Sequence, residues 1–130
     1  MKKFIKVLSI ILCLFMFVSC SAGKLSDAYN EDEVKAAAEE VINELNDKNY
    51  DGILEDSSDE LKISLPDNKL QETWEGFSKD IGKFNSISNM TLAEKNGYAV
   101  AITNVKYDNK KVTFTLSFNK EMKLAGIYMK

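Results

Sequence analysis

The sequence predicts a small α+β domain, with three N-terminal helices packed on a curved, four-stranded antiparallel meander. Two observations carry this prediction. Apolar residues recur at helical spacing as far as residue 81, whereas from residue 84 onward they alternate with polar residues, as in strands that bury one face. Helices that precede all the strands, joined by short connections, are typical of the α+β class. A chain of 130 residues has room for one such domain.

The first helix is predicted over residues 31–47. Asn30 or Asp32 can cap its N-terminus, because a short polar side chain there accepts a hydrogen bond from a free backbone N–H. The apolar stripe recurs at steps of four and three residues: Val34, Ala38, Val41 and Leu45. This stripe is expected to face the strands.

Two further helices are predicted before the strands. The second lies within residues 50–63 and is broken, with Ser57 or Ser58 as an internal cap. The third can begin at Pro66, whose missing N–H costs nothing in a first turn, and it ends at Gly82. Its buried stripe is unusually aromatic: Leu70, Trp74, Phe77 and Ile81.

The four strands are predicted at residues 84–95, with a bend, and at 98–107, 111–119 and 123–129. Asn96-Gly97 predicts a type I′ hairpin turn between the first two strands, because that turn needs positive φ at both residues. Gly126 interrupts the last strand and indicates a bulge or a close backbone approach.

Residues 1–19 have the pattern of a secretory signal peptide, with three lysines followed by the apolar stretch Val7–Val18. Twelve helical residues span about 18 Å, well short of the roughly 30 Å hydrocarbon core of a membrane. We therefore predict that this leader is cleaved. A flexible tether over residues 20–30 would follow, and then a single α+β domain over residues 31–130.

The segment Phe17-Val18-Ser19-Cys20 resembles the lipobox of bacterial lipoproteins, although that family prefers Leu where this chain has Phe17. The resemblance implies that Cys20 receives a diacylglyceryl group and becomes the mature N-terminus. Two acyl chains suffice for stable anchoring. The expected location is the cell membrane, lipid-anchored on the extracellular side. The alternative is an unpaired Cys20 beside conventional cleavage after Ser19.

Composition excludes several classes of site. The chain has no His, its 17 basic residues are all Lys, and its two cysteines are Cys13 in the leader and Cys20. Catalytic triads that use His, Cys/His zinc sites and disulfides are therefore excluded, and we predict no metal and no cofactor. Without the leader, 14 lysines face 20 acidic residues, a net charge of −6. This imbalance disfavours nucleic acid as a partner.

Several motifs over about residues 34–130 together resemble the bacterial family called domain of unknown function 3887: Asn49-Tyr50-Asp51-Gly52-Ile53, Leu65-Pro66, Trp74, Gly82-Lys83-Phe84, Asn96-Gly97-Tyr98 and Leu124-Ala125-Gly126-Ile127-Tyr128. The resemblance implies the nuclear-transport-factor-2-like cone fold, of the cystatin-like shape, on secreted lipoproteins of Firmicutes, which are Gram-positive. Some members precede an α/β-hydrolase, but this chain has no G-x-S-x-G nucleophile motif. The family supplies no catalytic residues.

The aromatic residues allow two interpretations, either a packed core or the lining of a cleft for an apolar ligand. The candidate cleft residues are Trp74, Phe77, Phe114 and Tyr128. We expect a filled core, because a four-stranded cone has little cavity to spare.

Ketosteroid isomerase shares the cone fold and uses carboxyl and tyrosine groups, for which this chain offers Tyr50, Tyr98, Tyr107, Tyr128, Asp51, Glu72, Glu75 and Asp80. Most of these acids lie on polar helix faces, so we assign no catalytic residue.

The sequence thus predicts a membrane-anchored extracellular lipoprotein that acts as a non-catalytic binding or protein-interaction module. Its partners would be the membrane, through the lipid on Cys20, and an unknown protein or a small apolar ligand; a homodimer is also compatible. One alternative is an isomerase-like or small-molecule-binding cone enzyme that uses Asp/Glu and Tyr. The other is an accessory or spacer subunit of a cell-envelope complex.

Overall fold

A computed structural model describes residues 24–66 and 68–130 and contains helices followed by strands. The helices are α1 (Glu31–Asn46), α2 (Tyr50–Glu55), α3 (Asp59–Ser64) and α4 (Lys69–Phe77), with a 3₁₀ turn at Ser78–Asp80. The strands are β1 (Phe84–Lys95), β2 (Tyr98–Tyr107), β3 (Lys111–Phe118) and β4 (Leu124–Met129). They form one antiparallel sheet in the order β1-β2-β3-β4, which confirms the α+β class and the meander.

The prediction of three helices is wrong, because the described residues form four α-helices. The predicted broken helix is two separate helices, divided where Ser57 forms a parallel bridge with Leu124. The backbone N–H of Ser58 donates to Leu124 O at 2.8 Å, and Leu124 N–H donates to Asp56 O at 2.9 Å. Ser58 is also the cap of α3, since its hydroxyl accepts from Leu61 N–H. A long-range contact with β4 therefore separates α2 from α3.

The aromatic helix α4 is shorter than predicted. It begins after Asn68, whose φ of 66° is left-handed, rather than at Pro66. The chain then tightens into the 3₁₀ turn, and Gly82 ends the segment with a φ of 85°, as predicted. A Cβ at Gly82 would come within 2.8 Å of the Asp108 side chain, so this position needs glycine for space as well as for conformation.

Two of the local predictions are confirmed in the helix cap and the hairpin turn. Asn30 caps α1, because its Oδ1 accepts from Glu33 N–H at 3.1 Å. Asn96 and Gly97 have φ values of 54° and 87°, as a type I′ turn requires. The β1–β2 pairing also shifts register twice near the start of β1, which is the predicted bend.

The core lies between α1 and the inner face of the sheet. Helix α1 contributes Val34, Ala38, Val41, Ile42 and Leu45. The inner face contributes Ala99, Ala101, Thr103, Val105, Tyr107, Val112, Phe114, Leu116 and Phe118. Every second residue of β2 and β3 is therefore buried, as the alternation in the sequence predicts. Within the described residues, no helix is long and apolar enough to cross a membrane.

Residues 24–30 contact the sheet at the β1–β2 turn, a region we call the hairpin end. Tyr29 is buried, and its hydroxyl donates to Gly97 O. The backbone N–H of Ser26 donates to Glu94 Oε1 at 2.8 Å. The sequence assigned these residues to the tether, and the structure shows them bound to the domain.

The predicted signal peptide, the lipobox and Cys20 all lie outside the described residues. Residues 21–23 separate Cys20 from Lys24, which is the first residue described. The boundaries of leader, tether and domain therefore stay predictions.

Helix α1 runs beside β2 in the same direction. Tyr29, just before the helix, contacts the turn that precedes β2, and Asn46, the last helical residue, contacts Tyr107 at the end of β2. Sixteen helical residues extend about 24 Å at ~1.5 Å each. The hairpin end and the Asn46–Tyr107 end are thus separated by the length of α1.

Candidate functional site

An open pocket of about 540 Å³ lies at the end of the domain opposite the hairpin end, and we call this region the pocket end. It lies where the C-terminus of α1, helix α4, the 3₁₀ turn and the first residue of β1 meet the end of β2. The lining residues are Asn46, Lys48, Trp74, Glu75, Ser78, Lys79, Ile81, Gly82, Lys83, Phe84 and Tyr107. The buried members Trp74, Ile81 and Tyr107 belong to the core, so the pocket is an opening onto its edge.

Trp74 links the pocket to the core. It is 3% exposed, and its ring centroid lies 6.2 Å from that of Phe77 and 6.0 Å from that of Phe114. Three of the four predicted cleft residues therefore form one cluster. Phe114 is fully buried beneath Trp74 and Phe77 is half-buried, and of the three only Trp74 lines the pocket.

Tyr128, the fourth predicted cleft residue, lies apart from this cluster. It pairs with Thr115 on the outer face of the sheet and is 61% exposed. The cause is a bulge in β4: Phe118 pairs with Leu124, and the adjacent Ser117 pairs with Gly126, which leaves one extra residue. The extra residue reverses the alternation of inward and outward side chains. Tyr128, which would face inward by counting in steps of two from the buried Leu124, therefore faces outward.

Tyr107 and Asn46 form the polar part of the pocket. The Tyr107 hydroxyl donates to Asn46 Oδ1 at 2.7 Å. Burial raises the pKa of Tyr107 to about 12. The phenol is therefore neutral at physiological pH and holds the Asn46 amide in place.

The other terminal atom of the Asn46 amide, Nδ2, is buried and has no hydrogen-bond partner within the described residues. Tyr107 can satisfy only one of the two atoms, whichever way the amide is turned. A buried polar atom without a partner costs about 1–3 kcal/mol, so such atoms are rare in folded proteins. Thr103 Oγ1 is also unpartnered, but Thr103 is fully buried in the core and lies away from the pocket.

The rim of the pocket is positively charged. Lys48, Lys79 and Lys83 line it, and none of them forms an ion pair in the part of the chain that the structure describes. Among the described lining residues Glu75 is the only acid, and it accepts a hydrogen bond from the Tyr50 hydroxyl at 3.2 Å. Burial, together with the Glu75 carboxylate, raises the pKa of Tyr50 to about 12. The described lining thus carries three ammonium groups without an ion pair and one carboxylate that accepts a hydrogen bond.

The carboxyl groups of the isomerase-like alternative are all exposed: Asp51, Glu72, Glu75 and Asp80. Of the four tyrosines, Tyr107 lines the pocket and Tyr50 contacts its rim, whereas Tyr98 and Tyr128 are 43% and 61% exposed. A general base of the ketosteroid isomerase type acts in an apolar cavity. The described pocket offers hydrogen bonds and positive charge, and none of these acids is desolvated in it.

A separate acidic cluster consists of Glu40, Glu44 and Asp56, with carboxylate oxygens within 4.8 Å of one another. Burial raises the pKa of Glu44, and the negative charges of Glu40, Asp56 and Glu55 add to this effect. Exposed carboxylates cluster in many proteins without a metal, and we assign no metal to this group.

Sequence reasoning missed Asn46 and the three lysines as pocket residues. One signal for Asn46 was present, since it follows Ile42 by four residues and so continues the buried stripe of α1 with a polar side chain. The lysines carry no such signal, because Lys48 meets Lys79 and Lys83 only through the fold, across about 30 positions of sequence.

Comparison with solved structures finds a similar fold in an NMR structure of a protein from Ruminococcus gnavus ATCC 29149. The TM-score is 0.68 at 22% sequence identity, and the match covers 82% of this chain and 96% of that one. No curated protein matches the chain. A family model described as "Protein of unknown function (DUF3887)" matches residues 38–127. Because this match spans more than half of the chain, the protein belongs to the DUF3887 family.

Proposed function

We propose that this protein is a lipid-anchored extracellular lipoprotein whose domain is a non-catalytic binding module, with the pocket beside Trp74 as its binding site. The observation that carries this proposal is the unpartnered amide atom of Asn46, held by Tyr107 in a pocket that opens to solvent. A spacer subunit would have no need of such a group, because a buried polar atom without a partner only lowers stability.

The position of the pocket is compatible with a lipid anchor that leaves the pocket accessible from outside the cell. Cys20 lies four residues before Lys24, so an extended chain reaches at most about 14 Å from the lipid to the domain. Lys24 and Ser26 lie at the hairpin end, beside Met90 and Leu92 of β1. The pocket lies at the other end of α1, about 24 Å away. An anchor on Cys20 would therefore hold the hairpin end toward the membrane and leave the pocket facing outward.

The cone fold is part of the same proposal. The first strand has two register shifts, which bend a strand, and the helices all lie before the meander in the chain. The aromatic cluster around Trp74 packs against Phe114 on the inner face of the sheet, and the pocket opens beside it. These features support a nuclear-transport-factor-2-like cone.

The exposed carboxyl groups support binding over catalysis. An isomerase-like enzyme needs a base that is desolvated next to its substrate, and Asp51, Glu75 and Asp80 are solvated at the surface. Tyr107 is the one tyrosine that lines the pocket, and its hydroxyl is occupied by Asn46.

The anchor is tested by fractionating cells that express Cys20→Ala, with Cys13→Ala as the matched control, because Cys13 lies in the leader that we expect to be removed. We expect wild type and Cys13→Ala in the membrane fraction, where protease can reach them in intact cells. Cys20→Ala should remain an uncleaved precursor or be released to the medium. A Cys20→Ala protein that fractionates like wild type with a processed N-terminus contradicts the anchor.

A further inference from the structure

We propose that the pocket binds a small organic anion with a flat apolar body, such as an aromatic or unsaturated carboxylate. This inference rests on the proposed binding function of the pocket and adds the chemical class of its ligand. Three independent features of the pocket support it: its aromatic wall, its unpaired lysines and the free atom of Asn46.

The apolar wall of the pocket is aromatic. Trp74 and Tyr107 lie with ring centroids 6.4 Å apart, and Phe84 lies edge-on to Tyr107 at 5.8 Å. Phe84 is 37% exposed, so its ring extends the wall beyond the closed core. A flat apolar ligand can cover these rings and remove their remaining surface from water.

The charge at the rim favours an anion. The whole chain carries a net charge of −3, yet Lys48, Lys79 and Lys83 meet around one opening without an ion-pair partner among the described residues. Like charges held close together raise the local potential for a ligand of opposite sign. The pocket lining therefore has three lysines against the single carboxylate of Glu75, although the chain as a whole is acidic.

The Asn46 amide supplies the orienting contact. Its Nδ2 atom is buried without a partner among the described residues, and a purely apolar ligand would leave this atom unsatisfied. A ligand with a polar group at that position satisfies the atom instead. The pocket therefore favours a ligand that is apolar on one face and polar at one end.

The test compares three compounds with the same phenylpropene body: cinnamate (anionic), cinnamyl alcohol (neutral) and cinnamylamine (cationic). The lipidated protein is reconstituted in phosphatidylcholine vesicles, and empty vesicles correct for partitioning. Binding is followed by the emission of Trp74, the only tryptophan, and by ligand-observed NMR. We expect cinnamate to bind saturably and about tenfold more tightly than cinnamyl alcohol, as three exposed charge pairs allow. Cinnamylamine should bind most weakly.

The variant Lys79→Gln/Lys83→Gln isolates the contribution of charge. Its matched control is Lys62→Gln/Lys120→Gln, which removes the same charge from exposed positions outside the pocket. The pocket variant should bind cinnamate about fivefold more weakly and cinnamyl alcohol unchanged, whereas the control should match wild type. A second variant, Asn46→Asp, should reverse the preference toward cinnamylamine.

Two negative outcomes separate this inference from the proposed function. Equal binding of all three compounds, with no difference between the two lysine variants, overturns the anion inference and leaves a pocket that binds small molecules. No saturable binding of any of the three overturns both.

Discussion

The hairpin end and the pocket end lie at opposite ends of the same core, and they differ in how their polar groups are hydrogen-bonded. At the hairpin end the polar groups are satisfied within the protein: the Tyr29 hydroxyl donates to Gly97 O, and Ser26 N–H donates to Glu94. At the pocket end one amide atom of Asn46 has no partner, and the lysines of the rim are unpaired in the described chain. The difference matches the proposed function, in which hydrogen bonds at the hairpin end serve stability and the pocket end keeps polar groups for a ligand.

The largest effect is expected from Trp74→Ala at the pocket end. Removing a buried aromatic ring that contacts Phe77, Tyr107 and Phe114 should lower the free energy of unfolding by about 3–5 kcal/mol. Urea denaturation followed by circular dichroism measures this loss. Ile63→Ala is the control, since Ile63 is 80% exposed and should change stability by less than about 0.5 kcal/mol. Equal losses of unfolding free energy from both variants would mean that the Trp74 ring does not stabilise the core.

An intermediate effect is expected at the hairpin end from Tyr29→Phe. This change removes the hydroxyl that donates to Gly97 O and keeps the ring, so it should cost about 0.5–1.5 kcal/mol. Tyr128→Phe removes a hydroxyl from a side chain that is 61% exposed and should be silent. Thermal or urea denaturation of the pair tests the comparison directly. A silent Tyr29→Phe would show that this end is not held by its hydrogen bond.

Local sequence rules predicted the features that depend on few neighbouring residues. The cap at Asn30, the stop at Gly82 and the Asn96-Gly97 turn each depend on backbone preferences over one to four residues. The division between α2 and α3 could not be predicted in this way, because it depends on the bridge from Ser57 to Leu124 across 67 positions of sequence.

The pocket was harder to predict for the same reason. Asn46 and Tyr107 meet across 61 positions, and the sequence shows no link between them. For Tyr128 the cause is different, because Gly126 indicated either a bulge or a close backbone approach, and the bulge in β4 turns the later residues of the strand to the other face. Trp74 was predicted correctly as part of the buried stripe because α4 keeps a helical period.

The smallest change in stability, and the sharpest contrast between the two ends, is expected from the double variant Asn46→Leu/Tyr107→Phe. It removes both partners of the bond at the pocket end and also the unpaired amide atom. The lost bond costs about 0.5–1.5 kcal/mol, but the unpaired atom costs about 1–3 kcal/mol in the wild type. The two terms oppose each other, so stability should stay within about 1 kcal/mol of wild type or rise slightly.

The single variant Tyr107→Phe is the control, because it removes the bond and leaves both amide atoms of Asn46 without a protein partner. It should be the less stable of the two in urea denaturation. Both variants should bind cinnamate more weakly than wild type, since each disturbs the orienting amide. A double variant that loses more than about 2 kcal/mol would show that the polar pair stabilises the fold, as Tyr29 does at the hairpin end. A stable double variant with weakened binding would instead show that the pair is retained at the pocket end for a ligand.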